Sequence, residues 1–146
     1  PGRATLTGTV RSFSTEVQAL IERRLRELCS GIAQAFGASA ALTYTRMYPA
    51  TINAAAQAEF AGDVAQSLVG AANVVRDLEP SMGAEDFSFM LRVKPGAYLR
   101  LGQGAPSGQG SCHLHNNRYD FNDAVLPLGA ALHASLAEQA MPLESV

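Results

Sequence analysis

The sequence predicts a mixed α and β fold, α/β in class, built in two unequal pieces. Three observations carry that expectation. Residues 5–13 and 38–48 alternate in side-chain character with a period of two, the apolar residues between them recur every three or four, and Pro49 interrupts the chain straight after. Strand, helix and strand in that order make a half-built open-faced sandwich. Two strands and one helix bury too little apolar surface to stand alone, so further strands are expected upstream.

Each element has its own signal. Thr5-Leu6-Thr7-Gly8-Thr9-Val10-Arg11-Ser12-Phe13 alternates β-branched or apolar with polar residues, as a strand does. Ser14 or Thr15 then caps a helix, with Thr15 and Gln18 fitting a capping box. Val17, Leu20, Ile21, Leu25, Leu28, Ile32 and Phe36 form its apolar stripe, and Gly37 ends it in a left-handed cap. Glu22, Arg23, Arg24, Arg26 and Glu27 read as a solvated face. In residues 38–48, Leu42, Tyr44, Arg46 and Tyr48 share one side of a second strand.

The second piece opens at Tyr48-Pro49-Ala50-Thr51-Ile52-Asn53, where Pro49 blocks a central strand and Asn53 can cap the next helix. Residues 54–69 suit that helix, with Phe60, Val64 and Leu68 on one stripe and Gly70 at its end. Val74 and Val75 suggest a short strand. After Glu79-Pro80-Ser81-Met82-Gly83, a short helix turns Phe87, Met90 and Leu91 inward, its acidic first turn favoured by the helix dipole. Lys94-Pro95-Gly96 is a turn, and residues 97–101 are a strand. Residues 102–110 read as a Gly-rich loop, too irregular for a phosphate-binding signature. A last helix over 124–139, capped by Asn122 or Asp123, admits Pro127 in its opening turn and buries Leu128, Leu132 and Leu136. The tail from Met141 is expected to fray.

Composition narrows the function. The 146 residues hold 11 basic and 13 acidic side chains without blocks of either sign, which leaves no footprint for nucleic acid or an anionic membrane. No stretch reaches the roughly 18 apolar residues of a membrane span. The first residue is Pro1 and not methionine, so the chain is expected to be processed or cut from something longer. Cys29 and Cys112 lack metal-type spacing, and reduced thiols in a cytoplasmic setting are the expectation.

Chemistry is concentrated in residues 112–123, where Cys112, His113, His115, Asn116, Asn117, Asp120 and Asp123 fall within a dozen positions. A neutral imidazole ligates zinc and related ions best when its other nitrogen donates to a carboxylate or carbonyl, which Asp120 or Asp123 could supply. An idle, exposed histidine is the competing reading. His133 reads as a partly exposed helical residue. Cys112 beside His113 is a poor nucleophile pair, because adjacent residues on an extended chain face opposite ways. Glu85 and Asp86 could serve as general acid or base, or merely suit the start of their helix.

Taken in order, Gly8-Thr9-Val10-Arg11-Ser12-Phe13, Tyr48-Pro49-Ala50-Thr51-Ile52-Asn53, Met82-Gly83-Ala84-Glu85-Asp86-Phe87-Ser88, Pro95-Gly96-Ala97-Tyr98 and Leu114-His115-Asn116-Asn117-Arg118-Tyr119-Asp120-Phe121-Asn122-Asp123 resemble landmarks of the M20-type metallopeptidase and amidohydrolase family. The branch resembled includes hippurate hydrolases, aminoacylase-like enzymes and hydrolases of indoleacetyl-amino acid conjugates. The resemblance implies a carboxy-terminal portion. Residues 1–50 would end a ferredoxin-like lid or dimerisation domain, and residues 51–146 would close a metal-dependent α/β catalytic domain.

It further implies two divalent ions, zinc or manganese, that polarise an amide carbonyl and activate water, with a glutamate as general base. His115 matches a metal ligand of the family. Gly83, Glu85 and Asp86 match a cleft-lining segment with a supporting or substrate-contacting role. The general base and the other ligands have no counterpart here, so the chain alone is expected neither to hold the metal nor to catalyse. The implied substrate is a small N-acyl amino acid or similar amide, and the implied assembly a homo-oligomer. Asn117 stands where the family commonly has proline, and His113 has no family counterpart and is incidental. The rival reading is a non-catalytic dimerisation or interaction module.

Overall fold

The computed structural model describes residues 2–104 and 112–141; the Gly-rich loop beyond residue 104 and the tail after Met141 lie outside the described residues. Four α-helices form, α1 (Thr15–Ala35), α2 (Ala55–Val69), α3 (Phe87–Val93) and α4 (Leu126–Ala140), with 3-10 turns at Ala71–Asn73 and Asp123–Val125. Among the described residues there is no strand, which corrects the α/β, ferredoxin-like expectation. Residues 5–13 and 38–48 form no backbone ladder with each other. The physical reason is that alternation marks a chain suited to a half-buried sheet face, whereas a strand exists only through a ladder with a neighbour in register. The chain divides into two compact units, Pro1–Ile52 with Glu79–Lys94, and Asn53–Leu78 with Pro95–Val146.

In the first unit, Ser14 is the cap of α1: its Oγ accepts from the Val17 amide at 3.2 Å and donates to Glu16 Oε2 at 2.6 Å. The cap is thus one residue earlier than the Thr15–Gln18 box would put it. Gly37 follows α1 at φ +69, a conformation costly for any residue with a Cβ. The side chains expected to form a solvated face partly tie α1 to the segment after it. Arg46 Nε donates to Glu22 Oε2 at 2.9 Å, and Arg26 Nη1 donates to the Leu42 carbonyl at 3.3 Å.

The apolar stripe of α1 stays largely uncovered, with Leu28 49%, Ile32 59% and Phe36 84% exposed and no residue of the helix buried. In α3 the half-buried row is Phe87 and Leu91, with Ser88 fully buried between them. Met90, expected inward, is 62% exposed. Tyr48 packs on Phe89 with ring centroids 5.8 Å apart and tilted by 54°, a favourable aromatic arrangement.

The second unit packs α2 against α4. Ala61, Gly62 and Val64 of α2 are buried, and Leu128, Leu132 and Leu136 of α4 are half-buried. Burying Val64 contributes about 2 kcal/mol relative to leaving it in water. Gly62 lets a side chain approach closely: a Cβ there would lie 2.6 Å from Arg76 Nη1, the far end of a flexible side chain that would have to shift. The Arg76 guanidinium instead lies along the helix and donates to Asp63 Oδ1 at 2.6 Å. Asn122 caps the 3-10 turn that opens α4, its Oδ1 accepting from Ala124 N at 3.2 Å.

Asn53 does not cap α2. The helix starts after Ala54 without a side-chain cap, and the Asn53 amide is engaged elsewhere. Its Oδ1 accepts from Tyr98 N at 2.8 Å while its Nδ2 donates to Tyr98 O at 3.1 Å. One side chain therefore satisfies both backbone groups that a neighbouring strand would have taken.

Candidate functional site

The histidine stretch lies in the second unit and is shaped by local hydrogen bonds. The Asn116 amide donates to the His113 carbonyl at 3.2 Å, and the Tyr119 amide donates to the Asn116 carbonyl at 3.0 Å. Asn116 Oδ1 also accepts from Arg118 N at 2.9 Å, the turn that an asparagine side chain makes with backbone two residues on. Between these bonds His115 is held at φ +70, the one non-glycine residue in the left-handed region among those described. That conformation costs about 1 kcal/mol and persists only where neighbouring bonds impose it. The His115 side chain is exposed, as is that of His113.

Asp120 and Asp123 are the carboxylates that sequence proximity offers to an imidazole. Both are exposed, and among the described residues neither bonds to a histidine. Tyr119 is half-buried and its hydroxyl meets the Gln103 amide, accepting from Nε2 at 3.1 Å and lying 3.3 Å from Oε1. No local pattern announces a bond between residues sixteen apart. The Asn116 turn, in contrast, is legible in the Asn116-Asn117 pair.

Gly83, Glu85 and Asp86 belong to the first unit, in the turn that enters α3. Half-buried Glu85 supports that helix start twice. Its Oε1 accepts from Phe87 N at 3.3 Å, and its carbonyl accepts from buried Ser88 Oγ at 2.6 Å. Asp86 is exposed and caps nothing with its side chain. A Cβ on Gly83 would meet only Ser81 Oγ at 3.8 Å, an ordinary contact, so this unit sets no steric demand for glycine there. Ser88 also lines a cleft of about 310 Å³ with Ser12, Gln18, Tyr48, Leu91 and Arg92, which no motif in the sequence announces.

A zinc ion takes three or four protein ligands. Among the described residues no three histidine, cysteine or carboxylate side chains come together to hold an ion. His115 fits one position of such a set, and the other positions would have to be filled from elsewhere. Nor is any described helix long and apolar enough to cross a membrane.

Residues 5–139 match the family described as Peptidase family M20/M25/M40. Over 94% of the chain, the sequence is 34% identical to a hippurate hydrolase of Campylobacter jejuni, covering 34% of that protein. It is 30% identical to the IAA-amino acid hydrolase ILR1-like 4 of Arabidopsis thaliana, over 94% of the chain and 32% of the relative. It is 33% identical to thermostable carboxypeptidase 1 of Saccharolobus solfataricus, over 94% of the chain and 34% of the relative. No solved structure matches. The chain spans about a third of the length of these curated relatives. On the match across residues 5–139, the chain belongs to the M20/M25/M40 peptidase family.

Proposed function

We propose that this chain is the carboxy-terminal portion of a metal-dependent hydrolase that cleaves the amide bond of N-acyl amino acids or similar small amides. The observation that carries the reading is the family match over residues 5–139, which includes His115. In this reading His115 supplies one ligand to a divalent ion, zinc or manganese. When bound, that ion polarises the amide carbonyl and activates water. The chain's own residues contribute position: the bonded turn around Asn116 fixes the direction from which the imidazole is presented, and Glu85 orders the turn carrying Gly83 and Asp86. Gly83, Glu85 and Asp86 line or support the substrate cleft, and the general base and remaining ligands come from sequence outside this chain. Residues 1–50 then end a lid domain and residues 51–146 close the catalytic domain of a cytoplasmic enzyme.

The test is turnover. Incubated with N-acyl amino acids and zinc or manganese, this chain alone is expected to release no product, whereas a longer protein containing it does. Metal-dependent turnover by the chain alone would overturn the division of labour.

A second reading, a self-associating interaction module, is favoured by the apolar stripe of α1. Leu28, Ile32 and Phe36 are half-exposed or more, and large uncovered apolar patches mark interfaces. Light scattering at rising concentration is expected to show association; a monomer throughout would count against it.

A further inference from the structure

We propose that the cleft beside α3 binds a small organic carboxylate with an apolar body, its acid group on Arg92 and its body against Phe13, Tyr48 and Leu91. The cleft, of about 310 Å³, is lined by residues of the first unit alone, so the inference is independent of His115. Ser88, Leu91 and Arg92 are three and four apart on α3 and share one side of that helix, as Thr15 and Gln18 do at the start of α1. Tyr48 and Ile52, from the segment around Pro49, complete the lining.

That lining is divided by chemistry. Phe13, Tyr48 and Ile52 are exposed and Leu91 is half-buried, so the cleft holds apolar surface in water that a hydrophobic body would cover. The serine hydroxyls are already committed: Ser12 donates to the Ser14 carbonyl, Ser14 to Glu16 Oε2 and Ser88 to the Glu85 carbonyl. Arg92 is not committed. Among the described residues its guanidinium makes no hydrogen bond or ion pair, and it is the one charged side chain of the described lining. Its planar fork of N–H donors matches a carboxylate, and the Gln18 amide offers a further donor from α1. A cation would meet no carboxylate in this lining, and a neutral apolar molecule would leave Arg92 unused.

The experiment titrates the 146-residue chain, labelled with nitrogen-15, with 3-phenylpropionate and separately with 3-phenylpropionamide, which has the same body without the charge. Amide shifts at Ser12, Gln18 and Arg92 report binding. The acid is expected to bind about tenfold more tightly than the amide, a gap of the size that charge-assisted hydrogen bonds give, and to lose that advantage in Arg92→Gln. Ile52→Ser changes a side chain 69% exposed, where the fold tolerates it, and is expected to weaken acid and amide alike by about threefold.

Equal binding of acid and amide by the wild-type chain overturns the proposal, and that result needs no variant to fold. So does the lack of a saturable shift up to about 20 mM, since so small a ligand should dissociate at about millimolar concentration. An undiminished preference for the acid in Arg92→Gln overturns it as well. None of these outcomes bears on metal binding by His115, so the two readings stand or fall separately.

Discussion

The Asn53 side chain bonds both backbone groups of Tyr98, accepting at 2.8 Å and donating at 3.1 Å, as a strand neighbour would. Beside it the Ala54 amide donates to the Gly96 carbonyl at 2.9 Å. Two segments far apart in sequence are thus joined by a side chain where the sequence suggests a strand. Asn53→Ala is expected to cost about 1 kcal/mol, since each net bond at an exposed position is worth about that or less. Hydrogen exchange at the Tyr98 amide checks it: protection should fall in the variant, and unchanged protection would refute the bridge.

Ser14 and Thr15 separate by mutation. Ser14→Ala removes the acceptor for the Val17 amide and is expected to destabilise α1 by about 1 kcal/mol, whereas Thr15→Ala should change little. Thermal melts tracked by helical circular dichroism distinguish them. Equal effects would restore the Thr15–Gln18 box.

Glu22 gives a pH dependence with a definite sign. Its carboxyl is held below the ordinary value of 4.5, first by the hydrogen bond from Arg46, with attraction to Arg46 and the bond from Arg26 adding to it. The folded chain therefore binds this proton more weakly than the unfolded chain. The stabilisation is fully present above about pH 4.5 and is lost as pH falls through the lowered folded value. Melting temperature against pH should lose part of its acid-side slope in Glu22→Gln. A profile identical to wild type would show that the pair contributes nothing.

The burial pattern predicts where the chain tolerates truncation. Val64 is 1% exposed, so Val64→Ala should cost roughly 2 kcal/mol for two lost carbons and the space they leave. Leu28, 49% exposed on α1, should cost less than half of that on change to alanine. Denaturant midpoints measure both. A larger loss at Leu28 would mean that the α1 stripe is covered in solution.

The helices are legible in the sequence because their signals are local. Spacings of three and four, Gly37 and Gly70 at the ends and Pro127 in an opening turn all depend on residues within a few positions. Sheet pairing is not legible in the same sense: residues 5–13 and 38–48 carry the alternation of strands, and alternation cannot specify a partner. Asn53 resembles a cap because it precedes a helix, yet its bonds go to Tyr98, a pairing no nearby residue encodes. At the candidate site, His115 stands out by residue type. Its φ of +70 and the Gln103–Tyr119 pair emerge only from three-dimensional contact.

The central claim is that His115 grips a divalent ion. Metal content and turnover of the full-length protein after His115→Ala test it most directly. The account predicts loss of bound metal, with affinity falling by more than the about 10- to 100-fold typical of a supporting residue, and loss of turnover with it. Wild-type metal content together with wild-type turnover in that variant would contradict it.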